Sequence, residues 1–230
     1  MRVNVTFTPG EEASAPVGIV VDVLRATSTI PQALAAGYRR VLCCAEIDQA
    51  RSLRAEIEGS LVGGERDARR IEGFDVGASP REFLEPRADT LILSTTNGTQ
   101  MILRAAERCD VVLLGSLLNL GAVVDEVRER GEDAVVFCAG FKGGFALDDA
   151  YCAGRIAEAL GGDRTDSATA AVRLAAGFAD AREGLGSGRS AWNLRRHGLD
   201  EDIEWCAREN ALSIAPRYVG SVGPAAEVRL

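Results

Sequence analysis

An α/β fold, with helices on both faces of a largely parallel or mixed sheet, is predicted by three observations. Apolar runs of four or five residues recur along the chain, at Val17 to Val21, Val41 to Cys44, Thr90 to Leu93, Val111 to Leu114 and Ala134 to Cys138. Each run stops at a polar or glycine-bearing turn, and a segment of helical period follows most of them. Such alternation of strand and helix signals specifies a sheet sandwiched between helices. The 230 residues suffice for one large domain; no internal repeat or convincing linker divides them, so residues 1–230 are read as a single domain.

Taken in order, Arg2 to Phe7 alternates polar and apolar residues and is predicted as a strand with one wet face, followed by a loop to Pro16. Val17 to Val21 is a buried strand that ends at Asp22; the helix after it tolerates Pro31 in its first turn and ends at Gly37. Val41 to Cys44 is a strand, and Ile47 to Ile57 a helix whose Ile47, Ala50, Leu53 and Ile57 share a face. Leu61 to Gly63 is a brief strand opening a long, charged, aperiodic loop to Pro80, anchored by Phe74 and Val76.

Thr90 to Leu93, Val111 to Leu114 and Ala134 to Cys138 are strands. Helices follow at Gln100 to Arg108, after Asn119 with Val123, Val124 and Val127 inward, and from Asp148-Asp149 to Leu160. Beyond Gly161 the pattern turns mainly helical: Ser167 to Arg182, Ser187 to Arg196 and Glu201 to Asn210. Leu212 to Ala215 is predicted as a closing strand and the tail from Gly220 as loose.

Composition narrows the function classes. The net charge is −8 with no basic tract, which argues against nucleic acid as a partner. An anionic substrate would need local positive charge, from arginines or a metal. No apolar run approaches the roughly 20 residues that span a bilayer, and the N-terminal MRVNVTFTPGEE has no signal-peptide core, so a cytoplasmic location is expected. The six cysteines form no CxxC pair and no zinc spacing; they read as reduced core thiols.

In α/β sheets ligands bind beyond the carboxyl ends of strands. Asp22, Thr95, Ser116 and Gly140 each follow a predicted strand, so their loops are expected to converge. Asp22, Arg25, Thr27 and Ser28 combine a carboxylate, a guanidinium and hydroxyls ahead of a helix, a set suited to a metal beside a phosphate, although Asp22 and Ser28 could equally serve as helix caps. Thr95, Thr96, Asn97 and Gly98 offer hydroxyls and an eased turn before the next helix, and Ser116 and Asn119 extend the polar rim. Arg66 could bind an anion bidentately or pair with Glu65 or Asp67. Asp22, Glu65, Asp75, Asp148 and Asp149 are the carboxylates available to Mg²⁺, and gathered together they would need a cation to offset their repulsion.

Other signatures fail. There is no GxxxxGK[ST], no GxGxxG after a strand, no cysteine-phosphatase loop and no DxDxT. Arg196-His197-Gly198 mimics the RHG of histidine phosphatases, but His197 is the only histidine and that mechanism needs two.

Several longer stretches together resemble the 2-phosphosulfolactate phosphatase family: VDVLRATST (Val21 to Thr29), GGER (Gly63 to Arg66), EGFDVGASP (Glu72 to Pro80), STTNGT (Ser94 to Thr99), GSLLN (Gly115 to Asn119) and Asp148-Asp149…Cys152-Ala153-Gly154. They occur in family order over most of the first 155 residues. The region Ser190…His197-Gly198…Asp202…Cys206 matches more loosely, and Asn210 to Pro216 departs from the family pattern. The resemblance implies a three-layer α/β/α sandwich and a Mg²⁺-dependent hydrolase. Its substrate would be (R)-2-phospho-3-sulfolactate, a reaction that serves coenzyme M synthesis in archaea. Asp22, Arg25, Arg66 and Asp75 are the expected catalytic residues. Phosphatase action on another small phosphorylated acid, or silent binding of an anionic metabolite, are the alternatives, and a homo-oligomer is left open.

Overall fold

The computed structural model describes all 230 residues. Eleven strands lie in one sheet, in the order β5-β4-β6-β3-β11-β10-β7-β2-β8-β1-β9. They are β1 Arg2–Thr6, β2 Val17–Val21, β3 Arg40–Cys44, β4 Leu61–Arg66, β5 Arg69–Arg70, β6 Thr90–Ser94, β7 Val111–Leu114, β8 Ala134–Cys138, β9 Asp163–Arg164, β10 Arg217–Val222 and β11 Ala225–Arg229. Nine α-helices accompany them: α1 Ala26–Ala36, α2 Ile47–Glu56, α3 Gly98–Ala106, α4 Leu120–Arg130, α5 Leu147–Leu160, α6 Asp166–Ala175, α7 Ala181–Gly186, α8 Arg189–Arg196 and α9 Asp200–Cys206. The predicted α/β class holds, and the sheet is mixed but largely parallel.

Two parallel runs make up most of the sheet. Strands β7, β2, β8, β1 and β9 form one, and β3, β6 and β4 the other. The antiparallel hairpin β10–β11 joins them, pairing with β7 at Arg217↔Leu113 and with β3 from Ala226↔Cys43 to Val228↔Val41. The runs therefore point in opposite senses along the ladder. In a flat sheet their carboxyl ends would lie on opposite edges. The seam to β7 is a single register pair, and one buried cluster takes Val20, Leu114 and Phe137 from the first run and Val41, Leu91 and Leu93 from the second. The sheet thus curls about α1 and α3, whose Ile30, Leu34, Met101 and Ile102 fill the space between the runs. Outside this layer, α4, α5 and α6 cover the first run and α2 covers the second.

The apolar runs form strands because every residue of β2, β6 and β8 is buried, as expected of strands covered on both faces. Helices α1 and α4 end at Gly37 and Gly131, whose φ angles of 114° and 65° suit glycine, and whose N–H groups close on the preceding carbonyls. All six cysteines are free, and five are buried.

Several expectations are corrected. The predicted helix over Ser167 to Arg182 is two helices, because the chain breaks after α6 and Asp180 caps α7 by accepting a hydrogen bond from the Glu183 N–H. Strand β4 continues through Arg66, so GGER is strand, and it turns back into β5 through Asp67 and Ala68 at positive φ. Leu212 to Ala215 forms no strand. The tail from Gly220 is not loose: Ala225, Ala226 and Val228 are fully buried in the hairpin between the two runs. β10 alternates exposed and half-buried residues, and Gly223-Pro224 at the hairpin tip reads as loop chemistry, so the stretch carries little apolar signal.

Candidate active site

The curl brings the carboxyl ends of β2, β4 and β6 together around one cavity of about 300 Å³. Its floor includes Asp22, Arg25, Glu65 and Arg66, and its rim carries Thr95, Thr96 and Asn97. Asp67, Phe141, Lys142, Ser190 and Asn193 complete the wall.

Asp22 sits where β2 gives way to α1. Its carboxylate lies against the backbone N–H groups of Ala26 and Gly98, the first residues of α1 and α3, which partly offset the cost of its burial. Neither helix has a side-chain cap of its own, and Asp22 stands at both starts, where the helix dipole favours negative charge. Gly98 is required there: a Cβ would stand 2.8 Å from Asp22 Oδ2 and 2.7 Å from the Ala26 Cβ. A place at two helix starts agrees with capping, the plainer role open to Asp22. It does not account for the charge, because burial, with Glu65 and Asp148 nearby, pushes the Asp22 carboxyl up to about 7.

The other carboxylates divide. Glu65 lines the cavity; its Oε2 accepts from the Ala68 N–H at 2.8 Å and its Oε1 from Thr96 Oγ1 at 3.5 Å. Asp148 lies behind Ser190, whose hydroxyl donates to it at 2.9 Å, and burial raises it to about 6. Asp149 is raised well above the usual carboxylate range by burial, then by Asp148 and Asp22. Its two oxygens accept from the Val23 and Gly140 N–H groups at 2.9 Å each, which ties the ends of β2 and β8. Asp75 is not brought to the cavity. It is exposed, receives Arg54 at 3.0 Å and accepts from the Val62 N–H.

The anion side is similarly sorted. Arg66 spreads its guanidinium over the Glu65 and Ala45 carbonyls and Ser94 Oγ, all neutral acceptors, so its positive charge is uncompensated by these partners. Arg25 is buried and paired with Asp202 at 2.6 Å, and Asp202 in turn accepts from Ser79 Oγ at 2.6 Å. Thr95 is fixed by Thr99 Oγ1 at 3.1 Å and by its own N–H to the Cys44 carbonyl. Four expected binding residues are turned inward. Thr27 Oγ1 accepts from the Asp22 N–H, Ser28 Oγ donates to the Val23 carbonyl, and Ser116 and Asn119 bond to each other, all fully buried and outside the cavity wall. The expected convergence of four strand-end loops is met by Asp22 and Thr95 and, through Phe141 and Lys142, by the loop after Gly140, while Ser116 turns away. Asp67, Lys142, Ser190, Asn193 and Asp202 were not among the expected site residues. Ser190, Asn193 and Asp202 come from α8 and α9, far along the chain, where the looser family match over Ser190 and Asp202 was the one signal; Lys142 had another, as the chain's only lysine on a glycine-flanked loop after a strand.

Comparison with known proteins decides the family. The family model described as 2-phosphosulpholactate phosphatase matches residues 5–221. The chain belongs to the 2-phosphosulpholactate phosphatase family. As a member it is a phosphoric monoester hydrolase, whose substrate is a small phosphorylated molecule. Proteins named probable 2-phosphosulfolactate phosphatase are similar to this phosphatase over nearly its whole length. The one from Thermotoga petrophila is 37% identical over 224 residues, 96% of each chain. That from Clostridium acetobutylicum is 33% identical over 217 residues, covering 90% of this chain and 92% of the relative. That from Synechococcus sp. strain JA-3-3Ab is 39% identical over 215 residues, 87% and 88% of the two chains. No helix of the phosphatase is long and apolar enough to cross a membrane.

The donors around the cavity fit Mg²⁺ in a particular form. No three carboxylate, histidine or cysteine side chains are arranged to chelate an ion directly. Mg²⁺ keeps several waters and commonly takes one or two carboxylates plus substrate phosphate oxygens. Asp22, with Glu65 beside it, supplies hard oxygen donors; its pKa is raised first by burial and then by the nearby Glu65 and Asp148 charges, and a cation would offset both.

Proposed function

We propose that the protein is a Mg²⁺-dependent phosphatase that hydrolyses (R)-2-phospho-3-sulfolactate to 3-sulfolactate and phosphate. The observation that carries this reading is the meeting, in one cavity, of Asp22 and Glu65 with Arg25, Arg66 and the turn ahead of α3, whose N-cap Asn97 makes no side-chain cap bond. The similarity of name and sequence among the relatives supports the substrate.

Asp22 and Glu65 would hold the cation, which when bound supplies positive charge against the phosphoryl oxygens and orients them. Arg66 is placed to grip the same oxygens, since its neutral partners leave its charge for the ligand. The N-terminal N–H groups of α3, past Thr95 and Thr96, stabilise charge on the equatorial oxygens as the phosphoryl group transfers. Arg25, held rigidly by Asp202, fixes the position of the substrate at the floor. Water attacks in line, without a phosphorylated intermediate on Asp22. The buried Ala26 and Ala78 in the wall limit bulk water, so each charged contact is stronger than it would be at an exposed surface.

Phosphate release is the test. Turnover of phosphosulfolactate that needs Mg²⁺ and stops with EDTA supports the proposal. Faster turnover of phospholactate or phosphoglycolate would reassign the substrate, absence of turnover on all three would leave an anion-binding protein, and trapping phosphorylated Asp22 would overturn direct attack by water. Residence in the cytoplasm and service to coenzyme M synthesis belong to this proposal, and growth on or without sulfonates in a deletion strain tests the second.

A further inference from the structure

Three cations line the cavity, and they are held differently. Arg25 is buried in its ion pair with Asp202, and Arg66 is spread over two carbonyls and a hydroxyl. Lys142 is the third. Its side chain is 71% exposed, and its ammonium lies 3.6 Å from Asp67 Oδ1 and 5.5 Å from the Phe141 ring. Asp67, itself 58% exposed, also receives Asn193 Nδ2 at 3.4 Å.

Lys142 and Asp67 come from two different loops, between β8 and α5 and between β4 and β5, and both sit at positive φ, 52° and 54°. Tight turns therefore fix where each side chain starts, while the chains themselves stay free to move. An exposed ion pair of this kind contributes little, about 0–1 kcal/mol, so a second anion can displace Asp67 at small cost. An ammonium on a flexible stem suits a spherical, diffuse anion such as a sulfonate better than the planar fork of a pre-committed arginine does.

We propose that Lys142 is the specificity-determining residue for the sulfonate of the substrate, and that Asp67 holds it in waiting until the sulfonate takes its place. This rests on the phosphosulfolactate reading given above. Phosphosulfolactate and phospholactate differ in the sulfonate alone, so the ratio of their kcat/KM values reads that contact directly.

The experiment measures this ratio for the wild type and for Lys142→Ala, Lys142→Arg and Asp67→Asn. Lys142→Ala should lower the ratio about tenfold or more, the loss of one charge-assisted contact. Lys142→Arg should recover part of it. Asp67→Asn, which frees the ammonium, should raise the ratio by up to about fivefold. Equal losses on both substrates, or a ratio unmoved in Lys142→Ala, would overturn the assignment. Failure of the substrate reading looks different: the wild type itself would not turn over phosphosulfolactate, and the role of Lys142 would fall with it before any variant was made.

Discussion

Arg25 of α1's leading turn and Asp202 of α9 form an ion pair of 2.6 Å, with 4% and 0% of their side chains exposed. It joins residues 177 positions apart, and Ser79 and Arg81 from the loop ahead of β6 close around the same carboxylate. The pair links the helical C-terminal part to the floor of the cavity. Burying two charges is costly, and removing one of them leaves the other without compensation.

Replacing Asp202 by Ala should therefore destabilise the protein by about 3–5 kcal/mol, a fall in Tm of order 10 °C for a chain of this size. The released Arg25 should also raise KM. Thermal melts and steady-state kinetics on the same preparation check both, and an unchanged Tm would show that the pair contributes nothing net.

Three buried carboxylates set a pH dependence. Asp22 is raised to about 7, Asp148 to about 6 and Asp149 well above its ordinary value, in each case first by burial. The folded chain then binds more protons than the unfolded chain between about pH 4 and 7, so these groups favour folding below pH 4 and that contribution is lost as pH rises through 6 and 7. The metal-free protein should lose Tm over this interval, and Asp22→Asn should flatten the loss and stabilise the metal-free protein at pH 8 by up to a few kcal/mol. Added Mg²⁺ should raise Tm more at pH 8, where Asp22 is ionised, than at pH 5.5, where it is protonated. Calorimetric melts with EDTA and with Mg²⁺ at the two pH values measure both effects.

Gly98→Ala places a methyl group 2.8 Å from Asp22 Oδ2 and 2.7 Å from the Ala26 Cβ. Alanine favours helices, so on propensity alone the change would be stabilising. The clash should instead cost about 1–3 kcal/mol and displace the Asp22 carboxylate, with kcat falling by at least tenfold. A fully active, more stable Gly98→Ala protein would contradict the packing described for the α1 and α3 starts.

Arg66→Ala should lower kcat/KM by about 10²–10³, the size of one lost transition-state contact. Arg66→Lys should recover little, because a point charge does not replace the fork. Asp75→Asn serves as the contrast: its carboxylate faces Arg54 outside the cavity, and activity should persist at wild-type level.

The sequence shows most of the fold where local physics decides it. β2 and β8 occupy the expected residues, and α5 ends at the expected Leu160, because uninterrupted apolar runs and glycine stops carry their own signal. The β10–β11 hairpin was hidden because its place depends on partners, Val41 to Cys43 and Leu113, far away in the chain. Asp22 and Thr95 were legible as strand-end polar residues, and Arg66 as an arginine in a charged, motif-bearing loop. Ser116, Asn119, Thr27 and Ser28 looked the same in sequence and proved to be spent on local hydrogen bonds, a distinction that only side-chain direction makes. Asp75 misled for a related reason: a carboxylate in a motif-bearing loop can face either side of the strand it follows.

A crystal structure with Mg²⁺ and a phosphate mimic such as vanadate tests the central claim most directly. The cation should lie on the Asp22 carboxylate near Glu65, with the anion against Arg66 and the N–H groups that open α3. A cation elsewhere, or an anion bound away from Arg66 with Asp22 still engaged only by Ala26 and Gly98, would contradict it.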